Sequence, residues 1–537
     1  MHVADTITDD RLTRRAADRL AALAGWRRYA AAAALGGLAT FALPPAYAVP
    51  LLLIAFPGLL WLLDGAATRK AAFGIGWWFG FGHHLCGLYW VTFALFTDIA
   101  QFWWAVPLSA AGLPVLLSMF TGLATLTLWT LARRGIVRGG LARAVAFAVV
   151  WATFEWLRGH LFTGFPWNLI GYSWVGWLPV LQIVSAVGIY GLSLLTVLVA
   201  ALPAAFADPA EPPRRVMAAL ALGLVLFAGI GGWGALRLAG ASAETVPGVR
   251  LRLVQSGVEQ RYKWEPSERL RVFETHLELS AAPAREPVTH LIWPETAIPF
   301  FIENDAANRM ALASVTPPGG MTLTGAPRAV RQEDDPAGGP GGGVRYYNSL
   351  LAIDGSGAVR GSFDKAHLVP FGEYMPLREY LPVGAIAGNG AEFSAGPGPR
   401  TLHLAGLPPV SPLICYEVIF PGAVVDPADR PQWLLNLTND AWYGQTAGPH
   451  QHFAISQVRA VEEGMPLVRS AQTGISGVAD SYGRVTAELA LGVRGVLDVA
   501  LPKALPGTTL YGWMGDWIFV VMLLGAAALA MAARRAN

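Results

Sequence analysis

Three residues in the polar part of this chain could form a thiol active site: Glu295, Lys365 and Cys415. Cys415 stands in Pro412-Leu413-Ile414-Cys415-Tyr416-Glu417 and is the only cysteine of that part. It ends an apolar run and is followed at once by polar residues. A nucleophile at a strand-to-turn junction sits in such a place, and the backbone N–H of Tyr416 could help to bind an oxyanion there. Glu295 follows the strand-like Leu291-Ile292-Trp293, which Pro294 breaks. Desolvation at the end of a buried strand makes a carboxylate a better base near neutral pH. Lys365, in Phe363-Asp364-Lys365-Ala366-His367, could favour a thiolate by its charge and stabilise the oxyanion formed when a carbonyl is attacked. Each residue alone has a plainer reading: a loop carboxylate, a solvated lysine, a core cysteine. Residues 239–514 hold only three lysines, Lys263, Lys365 and Lys503, against many arginines. An arginine is permanently charged and takes no part in proton traffic.

The elements that must position these residues read as an α/β layered domain. Apolar runs of strand length cover 249–255, 290–293, 321–324, 349–353, 410–414, 433–437 and 467–470. One helix is predicted at 265–279, with Leu270, Phe273 and Leu277 on one face. A second is predicted at 450–464, ending at Gly464 before Pro466. Residues 332–344 are rich in glycine and proline and read as a surface loop.

The rest of the chain has another composition. Of the 537 residues, 54% are hydrophobic and only 14% charged, against about a quarter charged in soluble proteins. Mean hydropathy is +0.42. Twenty tryptophans suit long water–lipid boundaries. A net charge of +2 leaves no nucleic-acid footprint. Cys86 lies in an apolar run, so a disulfide with Cys415 is not expected, and its plain reading is a small buried apolar residue. About eight membrane spans are predicted, at 29–46, 49–64, 71–96, 103–132, 142–160, 180–206, 215–238 and 515–533. The polar N-terminal segment, 1–28, shows no apolar core with a cleavage site, so no cleaved leader is expected. It carries six arginines, and basic residues near 69–70, 133–143, 214–215 and 534–535 fall on its side of the membrane. That side is then the cytoplasm. The expected order is a cytoplasmic segment 1–28, a membrane domain 29–238 of about seven helices, an outer domain 239–514, a last span 515–533 and a cytoplasmic tail 534–537.

Trp293-Pro294-Glu295, Asp364-Lys365 through Glu373, and Leu413-Ile414-Cys415-Tyr416-Glu417 occur in that order, each in a strand-to-loop context. This set resembles the nitrilase, or carbon–nitrogen hydrolase, superfamily, whose catalytic set is Glu-Lys-Cys in that order. The resemblance implies a four-layer α-β-β-α sandwich over 249–500. With the membrane part included, the chain is similar to the apolipoprotein N-acyltransferase family, which completes bacterial lipoprotein maturation. Thr438-Asn439-Asp440-Ala441-Trp442-Tyr443-Gly444, Gly448-Pro449-His450-Gln451-His452, Pro370-Phe371-Gly372-Glu373-Tyr374-Met375-Pro376 and Thr163-Gly164-Phe165-Pro166-Trp167 carry that likeness, which covers most of the chain beyond the first 28 residues.

That resemblance implies Glu295 as general base, Lys365 as stabiliser of the tetrahedral intermediate and Cys415 as the acylated nucleophile. Glu373 and Glu417 would support the site by orienting Lys365 or the leaving amine. Tyr416, Trp264 and Tyr374 would contact substrate. The implied donor is a membrane phospholipid and the acceptor a diacylglyceryl apolipoprotein. No cofactor or metal is implied. The implied location is the bacterial inner membrane, with the catalytic domain on the periplasmic side. A membrane-tethered amidase using the same three residues is the alternative. His450-Gln451-His452 has a metal-ligand look but lacks a third ligand at useful spacing. His83-His84 lies inside an apolar run, where ionisable residues mark function or hydrogen-bond between helices.

Overall fold

Strands that are apolar on both faces need cover on both faces, and the polar part of the chain is built around such strands. The computed structural model describes residues 10–260, 267–331, 343–376 and 392–533. Trp264, most of the glycine-rich insert and the tail 534–537 lie outside the described residues. The described residues divide into two compact units. One comprises 1–95, 100–240 and 509–537, and the other 96–99 and 241–508.

In the second unit eleven strands form two sheets among the described residues. They are β1 (Thr245–Gln255), β2 (His290–Ile292), β3 (Met321–Arg331), β4 (Val344–Asp354), β5 (Val359–Asp364), β6 (Val410–Ile414), β7 (Trp433–Thr438), β8 (Leu467–Ala471), β9 (Ser476–Ala479), β10 (Val485–Leu489) and β11 (Gly495–Pro502). The six-stranded sheet has the order β11-β1-β2-β3-β4-β5, and the five-stranded sheet β10-β9-β8-β7-β6. All seven predicted runs lie in or largely within strands. Four strands were not predicted: β5 and β10 are short and half exposed, β9 is a buried stretch of only four residues, Ser-Gly-Val-Ala, and β11 is half-buried over most of its length.

The sheets face each other across one core. Leu251, Leu253, Ile292, Leu323, Leu350 and Ala352 of the first meet Val410, Ile414, Leu435, Leu437, Val468 and Val478 of the second. A further core, with Phe273, Trp293, Leu312 and Leu351, lies between the first sheet and the helices Arg269–Ser280 and Ala306–Val315. The third long helix, Ala447–Glu463, belongs to the second sheet's side and ends on Gly464 in a left-handed conformation. The resulting order is helix, sheet, sheet, helix. The predicted helix face at 265–279 needs correction. Leu270 is exposed, and the buried side chains are Val272, Phe273, His276 and Ser280. His276 stacks its ring 5.0 Å from that of Trp293, which supplies the burial that Leu270 was expected to provide.

Among the described residues of the first unit four helices are long and apolar enough to cross a membrane by length and composition: Trp103–Arg133, Gly140–His160, Val184–Ala207 and Pro213–Ala239. Val49–Asp64 and Trp517–Ala532 form shorter apolar helices. The predicted span 71–96 is helical only over Arg69–Leu88, and 29–46 ends its helix at Thr40, ahead of Pro44 and Pro45. Helices Gly25–Thr40 and Arg69–Leu88 approach backbone to backbone where Gly36 meets the carbonyl of Phe79 and Gly82 that of Ala33. Small residues permit such crossings. Thr40 Oγ1 donates to the His83 carbonyl at 2.9 Å and lies 3.2 Å from its Nδ1, so His83 bonds between helices.

One glycine sets the position of Glu295. Gly325, in β3, donates to the Pro294 carbonyl at 3.2 Å and accepts from the Ile298 N–H at 3.2 Å. The loop therefore lies directly on the strand. A Cβ at 325 would sit 2.7 Å from Glu295 Cα and closer still to Thr296 N. Both neighbours are backbone and cannot swing away. Gly325→Ala is expected to destabilise this unit by about 1–3 kcal/mol and to displace Glu295. Thermal unfolding of the variant against the parent checks the first, and loss of activity without loss of folded protein at low temperature checks the second.

Candidate active site

Cys415 opens the turn that follows β6 and holds a backbone φ of +52°. A left-handed conformation at a non-glycine residue costs about 1–3 kcal/mol. Here it turns the chain sharply at the end of a fully buried strand. Glu295 stands in the loop after β2, beside Thr296 at a φ of +47°. Lys365 is the first residue after β5, and its N–H donates to the Asn348 carbonyl of β4 at 2.9 Å. Asp364, just before it, is held by Arg328 Nη1 at 2.8 Å to both carboxylate oxygens. That forked pair fixes the end of the edge strand.

The fold brings Glu295, Lys365, Cys415 and Glu373 into one buried cluster. Lys365 is only 1% exposed and Cys415 5%. Lys365 Nζ lies 2.8 Å from Glu373 Oε2 and 3.6 Å from Glu295 Oε1. Asn348 Nδ2 donates to Glu295 Oε1 at 2.8 Å and to Glu373 Oε1 at 2.9 Å. It ties the two carboxylates to one amide. Glu373 Oε2 also accepts from the Val369 N–H at 2.8 Å.

The charges decide the resting protonation states. Burial alone would lower the pKa of Lys365, but the carboxylates of Glu373 and Glu295 outweigh it and hold the ammonium well above its ordinary value. Lys365 is thus a fixed positive charge and carries no labile proton. Burial pushes the Cys415 thiol up to about 12, and Glu295 adds to the rise while Lys365 opposes it. The favour that a lysine lends a thiolate is present but smaller than these two effects. Cys415 therefore rests as a neutral thiol.

Glu417 touches backbone, not Lys365. Its Oε1 accepts from the N–H groups of Ala366 at 2.8 Å and His367 at 3.2 Å, and its Oε2 from that of Ile414 at 2.7 Å. It clamps the segment after Lys365 to the end of the strand before Cys415. Burial pushes its pKa up to about 7, against the pull of these donors and of Lys365. Tyr416 is buried, its ring edge-on to Phe420 at 5.0 Å and to His367 at 5.6 Å. Burial and then the nearby Tyr374 raise its hydroxyl pKa. Tyr374 itself is half-buried, and its carbonyl accepts from Phe371 N–H at 2.8 Å.

Beneath Cys415 lies a polar layer that the motif reading did not assign. His450 is exposed, whereas His452 is fully buried. His452 Nε2 lies 3.2 Å from the Cys415 carbonyl and Nδ1 2.9 Å from Asp440 Oδ1. Arg469 Nη2 is 2.6 Å from Asp440 Oδ2. Asn436 Nδ2 donates to the Leu413 carbonyl at 3.1 Å. The available signal was an arginine inside the apolar run 467–470, which demands a buried anion. Asn348 had a weaker one, an amide at the head of the apolar run 349–353. Ligand atoms of Cys415, Asp440 and His452 lie within 4.8 Å of one another. A cation fits poorly there, since Asp440 uses one oxygen on Arg469 and the other on His452 and Thr438.

Two family descriptions match the chain: the apolipoprotein N-acyltransferase N-terminal domain over residues 35–202 and carbon–nitrogen hydrolase over 250–509. A protein of Rhodopseudomonas palustris named apolipoprotein N-acyltransferase is 41% identical over 507 residues, covering 92% of each chain. One of the same name from Bradyrhizobium diazoefficiens is 40% identical over 530 residues, covering 96% of each. A solved amidase from Nesterenkonia sp. is 22% identical, covers 49% of this chain and 94% of its own, and aligns with a TM-score of 0.34. With both of its parts matched and relatives near 40% identity along almost its whole length, the chain belongs to the apolipoprotein N-acyltransferase family of acyltransferases.

Proposed function

We propose that this protein N-acylates lipoproteins, moving a fatty acyl group from a membrane phospholipid through a thioester on Cys415 to the α-amine of an N-terminal diacylglyceryl-cysteine. The observation that carries the reading is the buried cluster of a neutral thiol, a carboxylate and a fixed ammonium. Its family membership supports lipoprotein acylation in general.

Glu295 removes the Sγ proton as the sulfur attacks the ester carbonyl, so no free thiolate has to accumulate. Charge develops on the carbonyl oxygen, and the Lys365 ammonium stabilises it in a water-poor site. The C–O bond breaks, the proton on Glu295 passes to the leaving glycerol oxygen, and lysophospholipid departs. The acceptor amine then attacks the thioester and gives a proton to Glu295. The C–S bond breaks, and the sulfur regains its proton. Glu373 and Asn348 hold Lys365 and Glu295 in register, and Glu417 holds the two loops together. Tyr416, Tyr374 and Trp264 contact the substrates. The eight spans proposed for this chain seat the catalytic domain 239–514 on the periplasmic side of the inner membrane, where both substrates reside. The amidase alternative is not favoured, because relatives matching nearly the whole chain are named acyltransferases.

Incubation of the full chain with acyl-labelled phospholipid is expected to leave a hydroxylamine-labile adduct on Cys415, seen by mass spectrometry of its peptide. Cys415→Ala should carry none, and Glu295→Gln should acylate at least about 10²-fold more slowly. Absence of any adduct on the parent protein would refute the thioester route. The resting thiol gives a second expectation. Its raised pKa keeps the thiolate scarce until about 12. Iodoacetamide labelling of Cys415 without lipid should therefore rise roughly tenfold per pH unit from about pH 7 to 10 without a plateau. Glu295→Gln removes one cause of the rise, so its profile should shift to lower pH. Finally, Lys365→Met strands two buried carboxylates and should cost about 3–5 kcal/mol of stability, read as a lower Tm that recovers in part at acid pH.

A further inference from the structure

We infer that His452, held by Asp440 and Arg469, is a positioning residue that fixes the left-handed backbone of Cys415 by donating its Nε2–H to the Cys415 carbonyl. The inference rests on Cys415 being the nucleophile and extends that reading to a layer outside the segments of Glu295, Lys365 and Cys415.

The argument starts from hydrogen-bond capacity. A carbonyl oxygen can only accept, so Nε2, 3.2 Å away, carries a proton whatever the state of the rest of the ring. The other nitrogen is contested. Nδ1 lies 2.9 Å from Asp440 Oδ1, an acceptor, and 3.1 Å from Arg469 Nη2, a donor. With Nδ1 protonated the ring pairs with Asp440; with Nδ1 bare it accepts from Arg469. Both states keep the bond to Cys415, so the support does not depend on the ring's charge. Burial and then Arg469 lower the His452 pKa, while Asp440 raises it. The Asp440 carboxyl stays ionised, because Arg469 and His452 more than offset its burial.

Every member is fully buried: Asn436, Thr438, Asp440, His452 and Arg469 are all at 0% exposure. Such a network is costly unless complete, and it holds its geometry once complete. It is anchored on three separate elements, β7, the helix Ala447–Glu463 and β8. Asn436 Nδ2 reaches the same Cys415 carbonyl at 3.4 Å and the Leu413 carbonyl at 3.1 Å. Asp440 is packed so closely that a Cβ on Gly474 would collide with its carboxylate. The Cys415 carbonyl is thus held from below while its strained φ aims the side chain. Loss of the Nε2–H donor would let the turn relax toward ordinary backbone angles and carry the sulfur away from Glu295.

The test uses the full chain in detergent or nanodiscs, on a Cys86→Ala background so that Cys415 is the only thiol. His452→Leu, which has no donor, is compared with His452→Gln, whose amide can reach the same carbonyl. Two readouts are taken on protein shown to be folded by circular dichroism. The first is iodoacetamide labelling of Cys415; the second is kcat and KM for transfer from phospholipid to a diacylglyceryl peptide. A displaced nucleophile typically loses roughly 10- to 100-fold. His452→Leu should lose that much in kcat and in labelling rate with KM within about twofold, and His452→Gln should recover at least half of the lost labelling rate. Should His452→Leu not fold, His452→Phe, a ring that also lacks a donor, takes its place with the same expected direction. Labelling of a folded donor-free variant at the parent rate overturns the inference. Slowed labelling with rescue by glutamine, in a protein that never acquires an acyl group from phospholipid, sustains the positioning role and refutes the acyl-transfer reading instead.

Discussion

The buried ammonium of Lys365 is the charge around which the catalytic unit is arranged. Removed from water, it is tolerable only because Glu373 stands at 2.8 Å and Glu295 at 3.6 Å. Two carboxylates so near one another would repel without it, and the Cys415 thiol would lose the cation that opposes the rise of its pKa. Each of the three charged groups is therefore a condition for the others. The neutral amide of Asn348 completes the set by donating to both carboxylates from one nitrogen. It adds geometry without adding charge.

That cluster needs loops held to a fraction of an ångström, and the two sheets supply the means differently. The six-stranded sheet delivers Glu295 and Lys365 from β2 and the edge strand β5, with Gly325 allowing the first loop to lie flat on β3 and Arg328 pinning the end of β5. The five-stranded sheet delivers Cys415 from β6, and the polar layer of Asn436, Asp440, His452 and Arg469 lies under it. Glu417 joins the two deliveries by accepting from backbone on both. Acyl transfer by the proposed route would owe its rate to this rigidity, since attack and oxyanion support would fall on the same carbonyl only if both sheets keep register.

Glu295 and Cys415 were legible in the sequence because each ends an apolar run, whereas Lys365 follows the half-solvated β5 and stood out as one of three lysines in its part of the chain. Strand ends with reactive side chains have that signature, and the fully buried strands β6, β7 and β8 show the run plainly. β5, β10 and β11 did not, because they are half solvated, and β9 did not, because four residues that include Ser476 and Gly477 form no apolar run. Glu417 was legible as a supporting residue but not in its task. Sequence order cannot show that a carboxylate two residues past the nucleophile folds back on N–H groups some fifty positions earlier. Asn348 and the His452 layer were hidden for the same reason: their partners are neighbours only through sheet pairing and layer packing. The burial of Leu270 failed as an expectation because helical spacing fits several faces, and His276 with Val272 supplied a better one against Trp293. The membrane part was legible as apolar runs, while helix ends set by Pro44, Pro45 and the break after Leu88 depend on local backbone that hydropathy does not register.

The neutral thiol of Cys415 has a consequence beyond acyl chemistry. Peroxide and disulfide exchange attack through the thiolate, and a sulfur that is protonated at rest offers them almost none. Burial at 5% exposure removes most of the remaining access. The only other sulfhydryl, on Cys86, lies in the other unit. A thiol so placed resists oxidation without a disulfide partner or a reductase. In the route proposed above, reactivity would arise only with a bound ester beside Glu295, and small oxidants supply no such partner.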